Sequence, residues 1–175
     1  MSKSVATRCS NRLKAKKTEW EARLRAVDAQ EERRKLITLV ISLLDITKVG
    51  ENACNMAVNL VVVNLPEGVK SIGKYAFCNC ESLTTISFPT TLTSIADFAF
   101  YRCSSLDNAD LLHTNLQKLG RGAFASCIEL KSMMIPDSLQ TLGDYVFADC
   151  YKLVPSNINA TYNNTVVAYL SSKQN

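Results

Sequence analysis

The sequence predicts an α/β repeat fold: a short solenoid of about five 23-residue coils preceded by an N-terminal helix. Two observations lead to this prediction. The same side-chain types recur along residues 46–155 at intervals of 23 or 24 positions, and such a period indicates a stack of equivalent units. Residues 18–35 contain neither glycine nor proline and begin with a pattern that caps helices.

The repeat is clearest at four cysteines, which are separated by 23, 24 and 23 residues. A phenylalanine lies three residues before each cysteine and a leucine three residues after it. We call each copy a coil. The coils start at Ile46, Val69, Leu92, Leu116 and Leu139. The first coil is the weakest copy, because Cys54 takes the phenylalanine position and Ala57 the cysteine position.

A period of 20 to 29 residues with leucines at fixed offsets is typical of a leucine-rich solenoid with one strand and one return segment per coil. Adjacent coils then lie ~4.8 Å apart, so equivalent side chains form columns in the wall of the solenoid. The predicted structural ladder comprises Phe77, Cys80, Phe100, Cys103, Phe124, Cys127, Phe147 and Cys150. Cys78 lies outside the register.

Cysteines in such a column act as small apolar groups. A zinc site needs four convergent ligands, usually in paired spacing, and the chain has a single histidine. We therefore predict no metal site and no cofactor.

Three segments carry a family resemblance: IGKYAFCNCESLTTISFP, LGRGAFASCIELKSMMIPDSLQTLG and LGDYVFADC. They resemble the BspA-like leucine-rich repeat family, in which glycine, phenylalanine, cysteine, leucine and proline recur together. The resemblance covers about residues 46–155. That family contains binding and surface proteins of bacteria and of some unicellular eukaryotes, so the resemblance implies adhesion or protein recognition rather than catalysis.

The flanking segments differ from the repeats in charge. Residues 1–35 carry a net charge of +6 and residues 36–175 a net charge of −2. We expect a basic disordered tail over 1–17, a helical arm over 18–45 that starts at a Thr18–Glu21 capping box, and a C-terminal cap or tail over 156–175. The register favours a half-repeat strand over 37–43, with a continuing helix as the alternative. The arm covers the open end of the first coil, docks on a partner, or does both.

The predicted cellular compartment depends on the targeting signals and membrane spans in the sequence. The first 17 residues hold six basic residues and no apolar stretch, and the longest apolar run, LITLVISLL, is too short to span a membrane. We predict a cytoplasmic protein without a transmembrane segment. The alternative is the cell surface, reached by a route that the sequence does not reveal; a mitochondrial transit peptide is disfavoured.

A candidate partner-binding surface follows from alternation in the predicted strand at residues 83–89. Leu83, Ile86 and Phe88 face the core, so Thr85 and Ser87 face outward. The repeat extends them to two columns of candidate residues: Val62, Thr85, Asn108 and Ser132, and Asn64, Ser87, Asp110 and Met134. These small, nearly uncharged side chains suit a protein partner or a larger assembly. They do not suit nucleic acid, which needs Lys and Arg. The alternative is that these polar side chains only keep the sheet soluble and bind no partner.

The third coil is one residue longer and places Asp107, Asp110 and His113 close together in the sequence. A base without a paired nucleophile or a phosphate-binding loop makes no catalytic constellation, so we predict an irregular turn and no enzyme. The predicted function is a noncatalytic protein-interaction or scaffold module that binds through the repeat sheet, and through the basic arm if the arm docks. The alternative is a BspA-like surface antigen or adhesin.

Overall fold

The computed structural model describes residues 46–154 and 158–159, which form ten short strands. The predicted tail, helical arm and half-repeat strand, and most of the predicted C-terminal cap, lie outside these residues. The strands are β1 Lys48–Val49, β2 Val62–Asn64, β3 Ser71–Ile72, β4 Thr85–Ser87, β5 Ser94–Ile95, β6 Asn108–Asp110, β7 Lys118–Leu119, β8 Ser132–Met134, β9 Thr141–Leu142 and β10 Ile158–Asn159.

All strand pairs are parallel, and each strand pairs with its equivalent in a neighbouring coil. The odd-numbered strands form a five-stranded sheet in the order β1-β3-β5-β7-β9. The even-numbered strands form a pair, β2-β4, and a triplet, β6-β8-β10. Val62 opposes Thr85, and Ser71 opposes Ser94, so the register equals the 23-residue repeat. The described residues make four complete two-strand turns, and β9 and β10 belong to a fifth.

The α/β class and the single strand per coil predicted above are wrong for the described residues. These residues contain no helix, and each complete coil has two strands. The return segment follows the five-stranded sheet and includes the phenylalanine and the cysteine. It carries a residue of positive φ at two positions in almost every coil, such as Tyr75 (φ 55°) and Asn79 (φ 57°). A left-handed residue every four positions interrupts a right-handed helix.

The backbone hydrogen bonds are also inconsistent with a helix in the return segment. Alternate amides of a return segment donate to the next coil, as Cys54 N donates to Ala76 O at 2.7 Å and Met56 N to Cys78 O at 2.8 Å. The amides between them close tight turns within the coil, as Ala57 N donates to Cys54 O at 3.1 Å. The amides that a helix would bond internally therefore join the coils to one another.

The core is a stack of phenylalanine rings with the cysteines beside it. Phe77, Phe100 and Phe124 are fully buried, with ring centroids 5.2 Å and 5.0 Å apart and nearly parallel planes. Cys103 Sγ lies 3.1 Å from Phe77 O, and Cys127 Sγ lies 3.2 Å from Phe100 O. Each of these two thiols thus donates to the carbonyl of the phenylalanine in the preceding coil, and Cys80 donates to Cys54 O, the equivalent carbonyl of the first coil. A weak donor at the cysteine position therefore has an acceptor.

One face of the solenoid is interrupted between the second and third coils. The five-stranded sheet continues across this boundary, whereas β4 and β6 are not hydrogen-bonded to each other. The third coil departs from the repeat in three ways: Ala96 occupies a position held by glycine in the other four coils, Ala109 replaces a larger core residue, and one residue is inserted before Leu116. We call this boundary the seam.

Candidate functional site

The eight candidate partner-binding residues lie at the two ends of the three-residue strands β2, β4, β6 and β8. The middle residue of each of these strands is buried, and the flanking residues are exposed or half-buried. Val62 pairs with Thr85 and Asn64 with Ser87, while Asn108 pairs with Ser132 and Asp110 with Met134. We call this surface the candidate face. The seam divides its two columns into two halves.

The chemistry of the candidate face is mainly polar and weakly charged. Ser87 Oγ donates to Asn64 Oδ1 at 2.5 Å, so part of its hydrogen-bonding capacity is already used. Val62 and Met134, which are only half-buried, supply apolar surface at opposite ends. The short side chains of this face can form hydrogen bonds and small apolar contacts with a partner, and they lose little conformational entropy when they do so.

The third coil places the Asp107–His113 region beside the candidate face without assembling a catalytic site. Asp107 Oδ2 lies 3.9 Å from Lys131 Nζ, and Asp110 Oδ1 accepts the Leu112 amide at 3.0 Å. His113 is exposed. Thr114 is buried and donates to Leu111 O at 2.7 Å, which closes the longer turn. The carboxylates therefore take part in a turn and a surface ion pair.

Burial favours the protonated thiols of Cys80, Cys103 and Cys127, whereas the hydrogen bond with Cys127 lowers the pKa of Cys150. Burial raises the pKa of the Cys80 thiol to about 12, and the neighbouring Cys54 thiol adds to this shift. Burial also raises the pKa values of Cys103 and Cys127. Within residues 46–154, no group of three His, Cys, Asp or Glu side chains is arranged to hold a metal ion.

Sequence reasoning missed a second flat surface, the outer side of the five-stranded sheet. Its strands alternate a polar outward residue with a buried one, as Ser71 precedes Ile72 and Ser94 precedes Ile95. The signal was present in the recurring Ser-Ile or Lys-Leu before the glycine position, but two-residue strands are too short for periodicity to reveal them.

Among the described residues, no helix has the length and apolar character needed to cross a bilayer.

The similarity to known proteins lies in the repeat region. The profile of the BspA type leucine-rich repeat region matches residues 47–171 in six copies. No curated protein sequence matches the chain.

Solved structures with the same fold include leucine-rich repeat proteins from bacteria. A Treponema pallidum leucine-rich repeat protein is 34% identical with a TM-score of 0.62, over 65% of this chain and 54% of that one. A leucine-rich cell surface protein of Faecalibacterium prausnitzii is 31% identical with a TM-score of 0.59, over 66% and 30%. A leucine-rich repeat protein of Bacteroides ovatus is 28% identical with a TM-score of 0.58, over 65% and 30%.

The matched region of this chain thus corresponds to about half of the treponemal structure and to less than a third of the other two. The profile match covers well over half of the chain, and the two-strand coils carry its repeated phenylalanine, cysteine and leucine positions. This chain belongs to the BspA-type leucine-rich repeat family.

Proposed function

We propose that the chain is a noncatalytic protein-recognition or scaffold module, and that the candidate face binds its partner. The observation that carries this proposal is the registered pair of columns on β2, β4, β6 and β8, which displays small polar side chains on a rigid, parallel scaffold. Regular sheets of solenoids are common recognition surfaces.

The composition of the candidate face supports a protein partner. Thr85, Asn108 and Ser132 can exchange hydrogen bonds with a polypeptide while losing little side-chain freedom. Asp110 is the one charged side chain in the two columns, so a phosphate-rich partner would find no cation in them. Val62 and Met134 serve as the apolar contact points.

The seam adds a feature by which a partner can be selected. Because β4 and β6 are not hydrogen-bonded to each other, the strand pairing of the candidate face stops at this boundary. Asp110 and Asn108 lie directly at this boundary. A partner that bridges the two halves of the candidate face would therefore contact the third coil most closely.

Arginine substitutions test this proposal. Thr85→Arg with Asn108→Arg places two large cations in the candidate face and should remove proteins that the unmodified chain captures from cells of its source. Ser94→Arg with Thr141→Arg makes the same chemical change on the five-stranded sheet and should leave capture intact. Equal capture by all three proteins would refute the proposed binding face, provided that their melting temperatures agree.

A surface antigen or adhesin is the second candidate function. The observation that favours it is the 31% identity to a cell surface protein of Faecalibacterium prausnitzii. Antibody staining of intact and permeabilised source cells separates the two functions. Signal on intact cells supports the surface role, and signal only after permeabilisation supports the intracellular module.

A further inference from the structure

A column of alternating charges runs along one edge of the solenoid, away from the candidate face. It consists of the residue that follows the glycine position in each coil: Glu51, Lys74, Asp97, Arg121 and Asp144. The sign of the charge changes at every coil. Four of the five side chains are exposed, and Asp97 is half-buried. We call this surface the charged edge.

The backbone fixes the spacing of the charged edge. Each of its carbonyls after the first accepts an amide from the preceding coil: Asn52 N to Lys74 O at 3.0 Å, Tyr75 N to Asp97 O at 3.2 Å, Phe98 N to Arg121 O at 2.9 Å, and Gly122 N to Asp144 O at 2.8 Å. The five charges therefore follow one another at the spacing of parallel strands, ~4.8 Å.

Among residues 46–154, no ion pair joins two side chains of the charged edge, although Asp97 Oδ1 accepts the backbone amide of Arg121 at 2.9 Å. Among the described residues, the ion pairs join Lys131 to Asp107 and Lys152 to Glu129, and neither involves the charged edge. Lys74 Nζ lies 5.1 Å from the ring centroid of Tyr75, and the Arg121 guanidinium carbon lies 5.3 Å from that of Tyr145. The cations thus lie over aromatic rings rather than beside the neighbouring carboxylates.

Aromatic rings accompany the charges along this edge. The rings of Tyr75 and Phe98 stack with centroids 5.5 Å apart, and both residues are half-buried. Tyr145 is 51% exposed. Tyrosine and arginine are enriched in protein–protein interfaces, because they combine apolar surface with polar or charged groups. The aromatic rings and Arg121 are therefore residue types that interfaces favour, and the alternating charges decide which residues can face one another.

We propose that the charged edge binds a second copy of this chain. Two antiparallel edges in full register would oppose like charges, but a shift by one coil opposes unlike charges in every pair. Glu51 of one copy then faces Arg121 of the other, and Lys74 faces Asp97. The two-fold symmetry repeats both pairs, so a single surface is complementary to itself and the dimer closes.

The dimer formed by this edge is weak and sensitive to salt. Five coils span only about 20 Å of edge, which cannot bury the ~800 Å² per partner of a stable interface. Exposed charge pairs are also screened within about 10 Å at 0.1 M salt. The association is therefore weak and requires a high protein concentration and low ionic strength.

Charge exchange in the full chain tests the proposal. Sedimentation equilibrium at low salt should show dimers of the unmodified chain and only monomers of Lys74→Glu/Arg121→Glu, whose edge is wholly acidic. Glu51→Lys/Asp144→Lys should also be monomeric, and mixing the two variants in equal amounts should restore a dimer. Lys48→Glu/Lys118→Glu alters net charge equally on the five-stranded sheet and should dimerise like the unmodified chain.

Three results would overturn the proposal: an unmodified chain that stays monomeric at ~1 mM and low salt, an acidic-edge variant that dimerises as well as the unmodified chain, and a mixture of the two edge variants that stays monomeric. Circular dichroism of every variant verifies that the coils are folded. A failure of this experiment leaves the candidate face untouched, because that face lies on other strands.

Discussion

At the scale of the residue, the repeated phenylalanine and cysteine positions are the most constrained in the molecule. Phe100 contacts a parallel ring on each side, at 5.2 Å and 5.0 Å, and the edge of Phe88 at 5.8 Å. The cysteine next to each ring fills a small space and donates to a buried carbonyl. Alanine would lack both the sulfur atom that fills the space and the donor, and serine would bring a strongly hydrated hydroxyl into it.

Phe100→Ala should lower the free energy of unfolding by about 3–5 kcal/mol, because it removes the middle ring of the stack and leaves a cavity that stacked coils cannot close. Urea denaturation measures this change. Leu112→Ala serves as the control, since Leu112 is 39% exposed and its truncation should have little effect. Equal stabilities of the two variants would contradict the stacked core.

The raised pKa of Cys80 predicts a loss of stability at alkaline pH. The folded thiol ionises at about 12 against an ordinary value of 9.0, so above pH 9 the unfolded chain gains a thiolate that the folded chain lacks. The protonated Cys80 thiol makes its full contribution to the free energy of unfolding below pH 9, and this contribution decreases between pH 9 and pH 12. At pH 10 the loss from this thiol is about 1 kcal/mol.

Urea denaturation of the unmodified chain and of Cys80→Ala at pH 8 and pH 10 tests this prediction, since the other titrating groups are common to both proteins. The difference in stability between them should shrink by about 1 kcal/mol at the higher pH. A difference that is the same at both pH values would mean that Cys80 ionises alike in the folded and unfolded chains.

At the scale of the element, the close approach of coils at the glycine position holds the five-stranded sheet together. A Cβ on Gly120 would lie 2.5 Å from the Ala96 carbonyl carbon and from the Asp97 nitrogen. The same position in the first coil, Gly50, has nothing within 4 Å. In the third coil the position holds Ala96, and the five-stranded sheet remains paired there, with Ala96 N donating to Ile72 O at 2.9 Å.

Gly120→Ala should destabilise the protein by about 1–3 kcal/mol, because the added methyl group forces the third and fourth coils apart. Gly50→Ala is the matched control and should be neutral or slightly stabilising, since it adds a methyl group in open space and restricts the unfolded chain. Thermal unfolding of both variants measures the effect. A lower melting temperature for Gly50→Ala than for Gly120→Ala would contradict the observed coil spacing.

At the scale of the whole molecule, the repeat in the sequence determines the stacking but not the path of the chain within a coil. The spacing of Cys80, Cys103 and Cys127 was enough to predict that the repeated cysteines and phenylalanines stack in register, although Phe147 is only partly buried. It could not predict the second strand or the absence of helix in the described residues. Those features depend on inter-coil hydrogen bonds and on positive φ at residues such as Tyr75 and Asn79, for which the side chains give no strong signal.

For the candidate face, too, the repeat predicted which side chains point outward but not the seam. Alternation along residues 83–89 predicted Thr85 and Ser87 as outward residues, and the strand β4 places them so. The seam was not predicted; it lies at the coil that contains Ala96, Ala109 and one inserted residue. The binding role of the columns remains a prediction.

Hydrogen–deuterium exchange of the chain bound to its captured partner is the most direct measurement of that role. We predict slower exchange over β2, β4, β6 and β8, with the largest change at the seam between β4 and β6, and unchanged exchange over β3, β5 and β7. Protection of β3, β5 and β7 with unchanged exchange over β4 and β6 would contradict this prediction and would assign recognition to the five-stranded sheet.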